Sequence, residues 1–311
     1  MAFTMHSHSG QFCPGHAKDN LEDIIRHAIS IGYKTMGLTE HMPRYEECDL
    51  YPEERDDPKA LEVLPSRHES YLIEAQRLQK DYASQIHLLI GFETDFIRPN
   101  FTSHVQFLAS PPVIDYFIGS LHHVHGIPID YDAAMYASAV AASSKNGTEE
   151  GLYEDYYDEH LVMLEGLKPK VVGHFDLVRL LSKEPGRDVR EWKGVWERII
   201  RNLKVVKEQG GWLECNTAAL RKGLAEPYPC RAIAEEWVKM GGKFTMSDDS
   251  HGIAQVATNY GRGIEYLASL GVEEVWTLKR TPHPGLEGEE KAQLEDVRVP
   301  IEVFKQQFKV T

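Results

Sequence analysis

Amphipathic helical segments alternate with short apolar runs along most of this sequence. In NLEDIIRHAISI (20–31) the apolar residues recur with helical spacing, Asn20 stands in the N-cap position and Gly32 follows as a stop. The run TMGLTEH (35–41) comes next and is typical of a short strand with polar residues at its exit. The same order of helix and then strand recurs within 68–96, 156–178, 195–218 and 230–251. This alternation predicts a mostly parallel sheet, either open or closed into a barrel.

Residue types that bind metal ions fall at the carboxyl ends of these strands. In parallel α/β folds the functional residues collect at that edge, so side chains distant in sequence meet there. About six or seven strands that all end at one site favour a barrel over an open sheet. Two stretches, 43–66 and 126–150, interrupt the alternation. We expect them to form excursions above the rim of a single domain that spans 1–311.

Composition disfavours several kinds of partner. The net charge of −14 argues against nucleic acid and anionic membranes, since no long Lys/Arg run compensates for it. A small-molecule substrate fits better. The four cysteines lie far apart without a C-x-x-C pair, which is typical of a reducing compartment. The N-terminus lacks the features of a secretory signal, and no apolar run reaches about 18 residues. We therefore expect a cytoplasmic protein of unspecified oligomeric state.

The N-terminal third offers the first candidate metal ligands. His6 and His8 are two residues apart, so in an extended segment both imidazoles point to the same side and can reach one ion. Taken alone, such a pair is more often solvated than bound to metal. His16 follows a Pro-Gly turn that would fold the chain back toward the same place. Glu40 and His41 close an apolar strand, where the alternative is a solvated turn with a capping carboxylate.

Later strand ends add carboxylates and further imidazoles. Glu93 lies in the apolar stretch GFETDF, where an unpaired charge would be costly, so we expect it to bridge two cations. In GSLHHVHG, strand alternation puts His122 and His123 on opposite faces. We favour His122 as a ligand, and we expect His123 and His125 either to contact the substrate or to support the metal ligands. The candidates at the remaining strand ends are His174, Asp249 and His251. Each position alone is a weak signal, but their joint placement predicts a metal centre.

The motifs H-S-H, T-E-H, G-F-E, G-S-L-H-H, G-H-F-D and S-D-D-S-H follow one another in this order, and with them the sequence resembles the PHP (polymerase and histidinol phosphatase) superfamily of metallophosphoesterases. The segments FCPGH, GSLHHVHGIPID and LECNTAALRKG are similar in particular to PHP-type histidinol-phosphate phosphatases of fungi and bacteria. The resemblance covers essentially the whole chain. It implies an α/β fold, a distorted (β/α)7 barrel similar to a TIM barrel, that holds three divalent metal ions. Imidazole and carboxylate ligands suit Zn, Mn and Fe alike.

The resemblance also implies how the ligands are shared. One ion would be held by His6, His8, Glu93 and Asp249. A second would share Glu93 and be completed by His122 and His174. The third would use His16, His41 and His251. Within this set, Glu93, Asp249 and His251 are the expected catalytic residues.

The implied activity is hydrolysis of L-histidinol phosphate to L-histidinol and phosphate in histidine biosynthesis. A hydroxide held between two metal ions would attack phosphorus in line. Arg179 and Arg221 lie just past strand ends and are candidates for phosphate binding, the alternative being ordinary surface ion pairs.

Three other functions compete with this one. The first is a PHP phosphoesterase that acts on a sugar phosphate or a nucleotide. The second is a barrel amidohydrolase, which is disfavoured because no bridging lysine stands in the matching place. The third is a metal-binding protein without activity, which the presence of both carboxylates, Glu93 and Asp249, disfavours.

Overall fold

The computed structural model describes residues 2–145, 147–282 and 290–308. Its strands are β1 (Ala2–Thr4), β2 (Tyr33–Leu38), β3 (His87–Glu93), β4 (Tyr116–Gly119), β5 (His123–Val124), β6 (Ile127–Pro128), β7 (Val171–Val172), β8 (Trp212–Asn216), β9 (Lys243–Ser247), β10 (Glu274–Thr281) and β11 (Gln293–Pro300). Its α-helices are α1 (Leu21–Ser30), α2 (Ala60–Asp81), α3 (Phe101–Ala109), α4 (Ala133–Ala142), α5 (Glu149–Leu167), α6 (Lys193–Glu208), α7 (Ala218–Arg221), α8 (Arg231–Lys239), α9 (Tyr260–Ser269) and α10 (Ile301–Gln307). None of the helices so described is long and apolar enough to span a membrane.

Seven of the strands form one sheet in the order β1-β2-β3-β4-β7-β8-β9, and every neighbouring pair is parallel. The two edges of the sheet meet. Met5 N donates to Met246 O at 3.1 Å, and His8 N donates to Ser250 O at 2.8 Å. A parallel sheet whose edges join in this way is a barrel. The predicted distorted barrel of seven strands with interleaved helices is confirmed.

Helix α1 illustrates why the helices pack around the barrel. One face of the helix is apolar and buried, and its buried residues are Leu21, Ile24, Ile25 and Ala28. The helix ends at Ser30 and is followed by Gly32 with a φ of +91°, a left-handed conformation that glycine adopts without strain. The helix and stop predicted from the sequence are therefore confirmed.

The first excursion is shorter than predicted. Helix α2 begins at Ala60, so residues 60–66 extend a helix that was expected only from residue 68. The earlier start of this helix was not predicted because of Pro65: a proline inside a helix removes one backbone hydrogen bond and usually indicates a break. The second excursion contains the antiparallel pair β5–β6 and helix α4, and its residue 146 lies outside the described residues.

Strands β10 and β11 form an antiparallel hairpin apart from the barrel sheet. This hairpin was not predicted from the sequence. Arg280 N donates to Nε2 of His87, the first residue of β3, at 3.0 Å. The rings of Trp276 and of Trp212, the first residue of β8, lie 6.3 Å apart. The hairpin thus covers the amino ends of the barrel strands, and the carboxyl ends lie on the opposite side.

Candidate metal centre

Eight of the nine predicted ligands meet in one cluster at the carboxyl ends of the barrel strands. They are His6 and His8 after β1, His41 after β2, Glu93 at the end of β3, His122 after β4, His174 after β7, and Asp249 and His251 after β9. His41 and His251 are partly exposed, and the other six are buried. The barrel therefore gathers side chains that are up to 245 positions apart in sequence.

Glu93 lies at the centre of this cluster and faces five imidazoles. The distances from its oxygens are 3.3 Å to His6 Nε2, 3.5 Å to His8 Nε2, 3.1 Å to His41 Nδ1, 3.4 Å to His122 Nε2 and 2.9 Å to His174 Nε2. Burial alone would raise the pKa of Glu93, but the neighbouring imidazoles of His6 and His122 hold that pKa well below its ordinary value. An ionised carboxylate in this position has the geometry to bridge neighbouring cations.

The donor atoms of the cluster form three overlapping groups, and within each group they lie within 4.8 Å of one another. The groups are His6, His8 and Glu93; Glu93, His122 and His174; and His8, His41 and His251. The buried Nε2 atoms of His6, His8 and His251 have no hydrogen-bond partner among the described residues. Since buried polar atoms require partners, and imidazole with carboxylate is a common ligand set for divalent cations, these residues fit bound metal ions.

His16, the ninth predicted ligand, lies at the rim of the cluster. The residue is exposed, and its ring centroid is 4.6 Å from that of His251 and 5.6 Å from that of His41. His16 therefore stands on the solvent side of the third group without belonging to any of the three.

Two buried carboxylates contact histidines of the cluster on the side away from its centre. Glu214 Oε2 lies 3.1 Å from His6 Nδ1, and Glu214 Oε1 accepts a hydrogen bond from His174 N at 2.6 Å. Asp95 Oδ1 lies 2.8 Å from His122 Nδ1. Glu214 was not among the predicted site residues, although a charged residue inside the buried strand WLECN was a usable signal.

Arg221 holds the backbone of the loop that carries Asp249. Its guanidinium donates to Asp248 O at 2.9 Å and to Asp249 O at 2.8 Å. Asn216 Nδ2 donates to Asp249 Oδ2 at 3.2 Å. Asp249 has a φ of 47°, a left-handed conformation that is uncommon outside glycine, so these contacts stabilise an unusual backbone at a predicted ligand.

The structure does not bring the three predicted substrate contacts to the cavity beside the cluster. Arg221 is engaged with the Asp249 loop. Arg179 donates to Asp176 Oδ2 and to Pro227 O, both at 2.7 Å. His123 is buried, with its ring centroid 5.2 Å from that of Tyr51. None of the three lines the cavity. Both arginines lie near the site, as their spacing from the strand ends suggested. Their guanidinium groups, however, form hydrogen bonds with other residues of the chain and do not reach the cavity.

The cavity itself has a volume of about 140 Å³ and extends outward from His41, Glu93, Asp249 and His251. Its basic lining residues are Arg44, Arg67 and Lys222, and its acidic ones beyond the cluster are Glu40, Glu53, Glu54 and Asp130. Arg44 lies 2.7 Å from Asp95. Lys222 is exposed and forms no ion pair within the part of the chain that the structure describes. Lys222 is therefore a cation available to an anionic ligand in this cavity.

The barrel and its histidine–carboxylate cluster define a class, the metal-dependent enzymes built on β/α barrels. The PHP domain family matches residues 4–218. The chain is 40% identical over 283 residues to a Schizosaccharomyces pombe protein named "Probable histidinol-phosphatase", covering 91% of each chain. It is 30% identical over 314 residues to the histidinol-phosphatase of Saccharomyces cerevisiae, covering 90% of this chain and 92% of that one. The chain therefore belongs to the PHP family, in the group of the histidinol-phosphatases.

Solved structures have the same fold. HisK of Listeria monocytogenes is 25% identical with a TM-score of 0.69, covering 84% of this chain and 99% of that one. Histidinol phosphate phosphatase of Lactococcus lactis, crystallised with zinc, L-histidinol and phosphate, is 19% identical with a TM-score of 0.66, covering 94% of this chain and 98% of that one. Because the identity to the Lactococcus lactis protein is only 19%, this similarity is evidence for the fold alone.

Proposed function

We propose that this chain acts as one metal-dependent phosphomonoesterase domain that hydrolyses L-histidinol phosphate to L-histidinol and phosphate. The observation that carries the proposal is the position of Glu93, whose carboxylate faces five imidazoles beside a cavity of about 140 Å³. The substrate comes from the similarity to the yeast histidinol-phosphatases over about nine tenths of the chain. Four unpaired cysteines support the cytoplasm as the location.

We infer three divalent ions, which Zn, Mn or Fe would satisfy. The first would be held by His6, His8, Glu93 and Asp249, and Asp249 Oδ1 lies 3.7 Å and 3.5 Å from the two Nε2 atoms. The second would be held by Glu93, His122 and His174. The third would be held by His41 and His251, with His16 approaching from the rim.

When bound, such ions neutralise the charge of a phosphate monoester and activate water as a nucleophile at neutral pH. The protein itself contributes by positioning the histidine side chains and by providing charged groups for the substrate. Glu214 and Asp95 orient the imidazoles of His6 and His122, so that the opposite nitrogens point into the cluster. Lys222, on the cavity wall, is placed to attract the phosphate dianion. The acidic side chains of Glu53 and Glu54 give the same cavity a region suited to the substrate ammonium group.

The decisive experiment measures phosphate release from L-histidinol phosphate by the metal-loaded protein. A sugar phosphate, a nucleotide and 4-nitrophenyl phosphate are run beside it, with a chelator as control. We expect kcat/KM for L-histidinol phosphate to exceed the others by several orders of magnitude, and chelation to abolish activity. A clear preference for the sugar phosphate or the nucleotide would instead assign the chain to another PHP phosphoesterase activity.

A further inference from the structure

One side of the cavity is built from aromatic and apolar residues around Tyr71. The ring centroid of Tyr71 lies 5.6 Å from that of Phe12 and 5.9 Å from that of His68. Leu64 and Cys13 line the cavity with them. The hydroxyl of Tyr71 is satisfied by the backbone, since it donates toward Leu38 O and Gly91 O, each at 2.7 Å. Tyr71 is fully buried, so its ring forms part of the apolar wall behind the cavity, and such a wall suits a flat ring in a ligand.

Two buried polar side chains in this wall have atoms without partners. Glu40 is 3% exposed; its Oε1 accepts hydrogen bonds from Ser9 N at 2.9 Å and from Ser9 Oγ at 2.6 Å, whereas Oε2 has no partner among the described residues. His68 is 6% exposed, and neither of its ring nitrogens has a partner there. Neither residue belongs to the three donor groups of the metal cluster. Buried polar atoms that line a cavity without partners are positions where a ligand can satisfy them.

We propose that Glu40 and His68 form the subsite that recognises the imidazole ring of the substrate, with Glu40 Oε2 accepting the ring N–H and His68 donating to the other ring nitrogen. The proposal rests on the function proposed above. A neutral imidazole carries one donor and one acceptor, which matches one carboxylate oxygen and one histidine N–H. Burial lowers the pKa of His68 to about 4, so at neutral pH His68 is uncharged and can donate from one nitrogen and accept at the other.

This pairing favours an imidazole over the ammonium group of the same substrate. An ammonium presents donors only, so it cannot accept the hydrogen bond that His68 donates in this pairing, whereas the second ring nitrogen of an imidazole can. The acidic residues Glu53 and Glu54 elsewhere in the cavity provide acceptors for such a group. Glu40 and His68 thus determine specificity, whereas the metal cluster carries the chemistry.

The test compares substrates with and without an imidazole. The variants Glu40→Gln and His68→Phe are assayed with L-histidinol phosphate, O-phosphoethanolamine and 4-nitrophenyl phosphate. Glu40→Gln keeps the acceptor for Ser9 but replaces Oε2 by a donor. We expect each variant to raise KM for L-histidinol phosphate by about tenfold or more, and to change kcat/KM for the other two substrates by less than about threefold. Glu69→Gln, at an exposed position next to His68, is the matched control and should behave as wild type.

Failure of the subsite proposal and failure of the proposed function would give different results. Equal losses on all three substrates would place Glu40 in support of the metal cluster and overturn the subsite, as would unchanged KM for L-histidinol phosphate in both variants. A wild-type protein that cleaves other phosphates but not L-histidinol phosphate would overturn the proposed function, and the subsite with it.

A wild-type measurement keeps the proposal testable if a variant does not fold. L-histidinol should inhibit hydrolysis of 4-nitrophenyl phosphate at a concentration at least about tenfold lower than L-phenylalaninol, whose ring has a similar shape but no hydrogen-bonding atoms. Equal inhibition by the two compounds would contradict recognition through Glu40 and His68.

Discussion

Nδ1 of His6 lies 3.1 Å from Oε2 of Glu214, and both side chains are almost completely buried. A hydrogen bond between Nδ1 and this carboxylate fixes the orientation of the imidazole and directs Nε2 into the cluster. That Nε2 lies 3.3 Å from Glu93 Oε2. Because Glu214 Oε1 also accepts from His174 N, one carboxylate positions residues in two of the three donor groups.

Replacing Glu214 by glutamine is expected to weaken the metal centre while preserving the fold. The amide has nearly the same shape but is uncharged and a weaker acceptor for His6. We expect metal affinity, or kcat/KM at limiting metal, to fall by about 10–100-fold, the usual effect of removing a carboxylate behind a histidine ligand. Titration with metal against a competing chelator measures it. Glu208→Gln, exposed at the end of α6, is the control; wild-type affinity in Glu214→Gln would show that His6 needs no such partner.

Glu93→Gln should have a larger effect, because it removes the charge that the imidazoles share. We expect kcat to fall by about three orders of magnitude or more, with fewer metal ions per chain by elemental analysis. A ligand that binds only the folded state raises its stability by mass action. A chelator should therefore lower the melting temperature of wild type more than that of Glu93→Gln. Full activity in this variant, with exposed Glu295→Gln as control, would refute a bridging role.

The gathering of the candidate ligands could be predicted because it depends on a local pattern. In TMGLTEH and IHLLIGFETDF an apolar run ends in a polar side chain such as His41 or Glu93, and the carboxyl ends of parallel strands lie at one edge wherever the chain places them. The barrel followed from the same reasoning.

Side-chain directions could not be predicted in the same way. Glu214 and His6 are 208 positions apart, so nothing local connects them. Arg221 lies near the site as its sequence position suggested, but its direction is set by carbonyl groups at positions 248 and 249, and these positions depend on the left-handed backbone at Asp249. The β10–β11 hairpin could not be predicted, because its stability comes from the pairing of its two strands and from contacts distant in sequence, such as that of Trp276 with Trp212.

Lys222 and Arg221 are neighbours in sequence with different expected roles. Lys222→Ala should raise KM for L-histidinol phosphate by about tenfold, because it removes a cation from the cavity wall, and Lys222→Arg should restore most of the affinity. Arg221→Ala should instead lower thermal stability and metal affinity, because it releases the backbone of Asp249. Steady-state kinetics combined with metal titration separate the two effects. If Arg221→Ala raised only KM, Arg221 would contact the substrate after all.

His160 on α5 should make the stability of the protein sensitive to mild acid. The side chain is fully buried, 3.4 Å from Asn202 Nδ2 and packed edge-on against Phe175. Burial lowers the pKa of His160 to about 3, whereas histidine in an unfolded chain titrates near about 6.5. Below about pH 6.5 the unfolded chain therefore binds a proton that the folded chain does not, and its contribution to stability falls as the pH is lowered toward 3.

Between pH 6.5 and 5, His160 alone should lower the free energy of unfolding by about 2 kcal/mol. Urea unfolding of chelated protein from pH 5 to 7.5 measures the change. His160→Gln should be less stable than wild type at neutral pH, because Gln fills the site imperfectly, yet should lose about 2 kcal/mol less over this range. His27→Gln, on the half-exposed surface of α1, should keep the wild-type slope. Equal pH dependence in wild type and His160→Gln would mean that the buried imidazole accepts a proton without unfolding, and hence that its surroundings rearrange to solvate the charge.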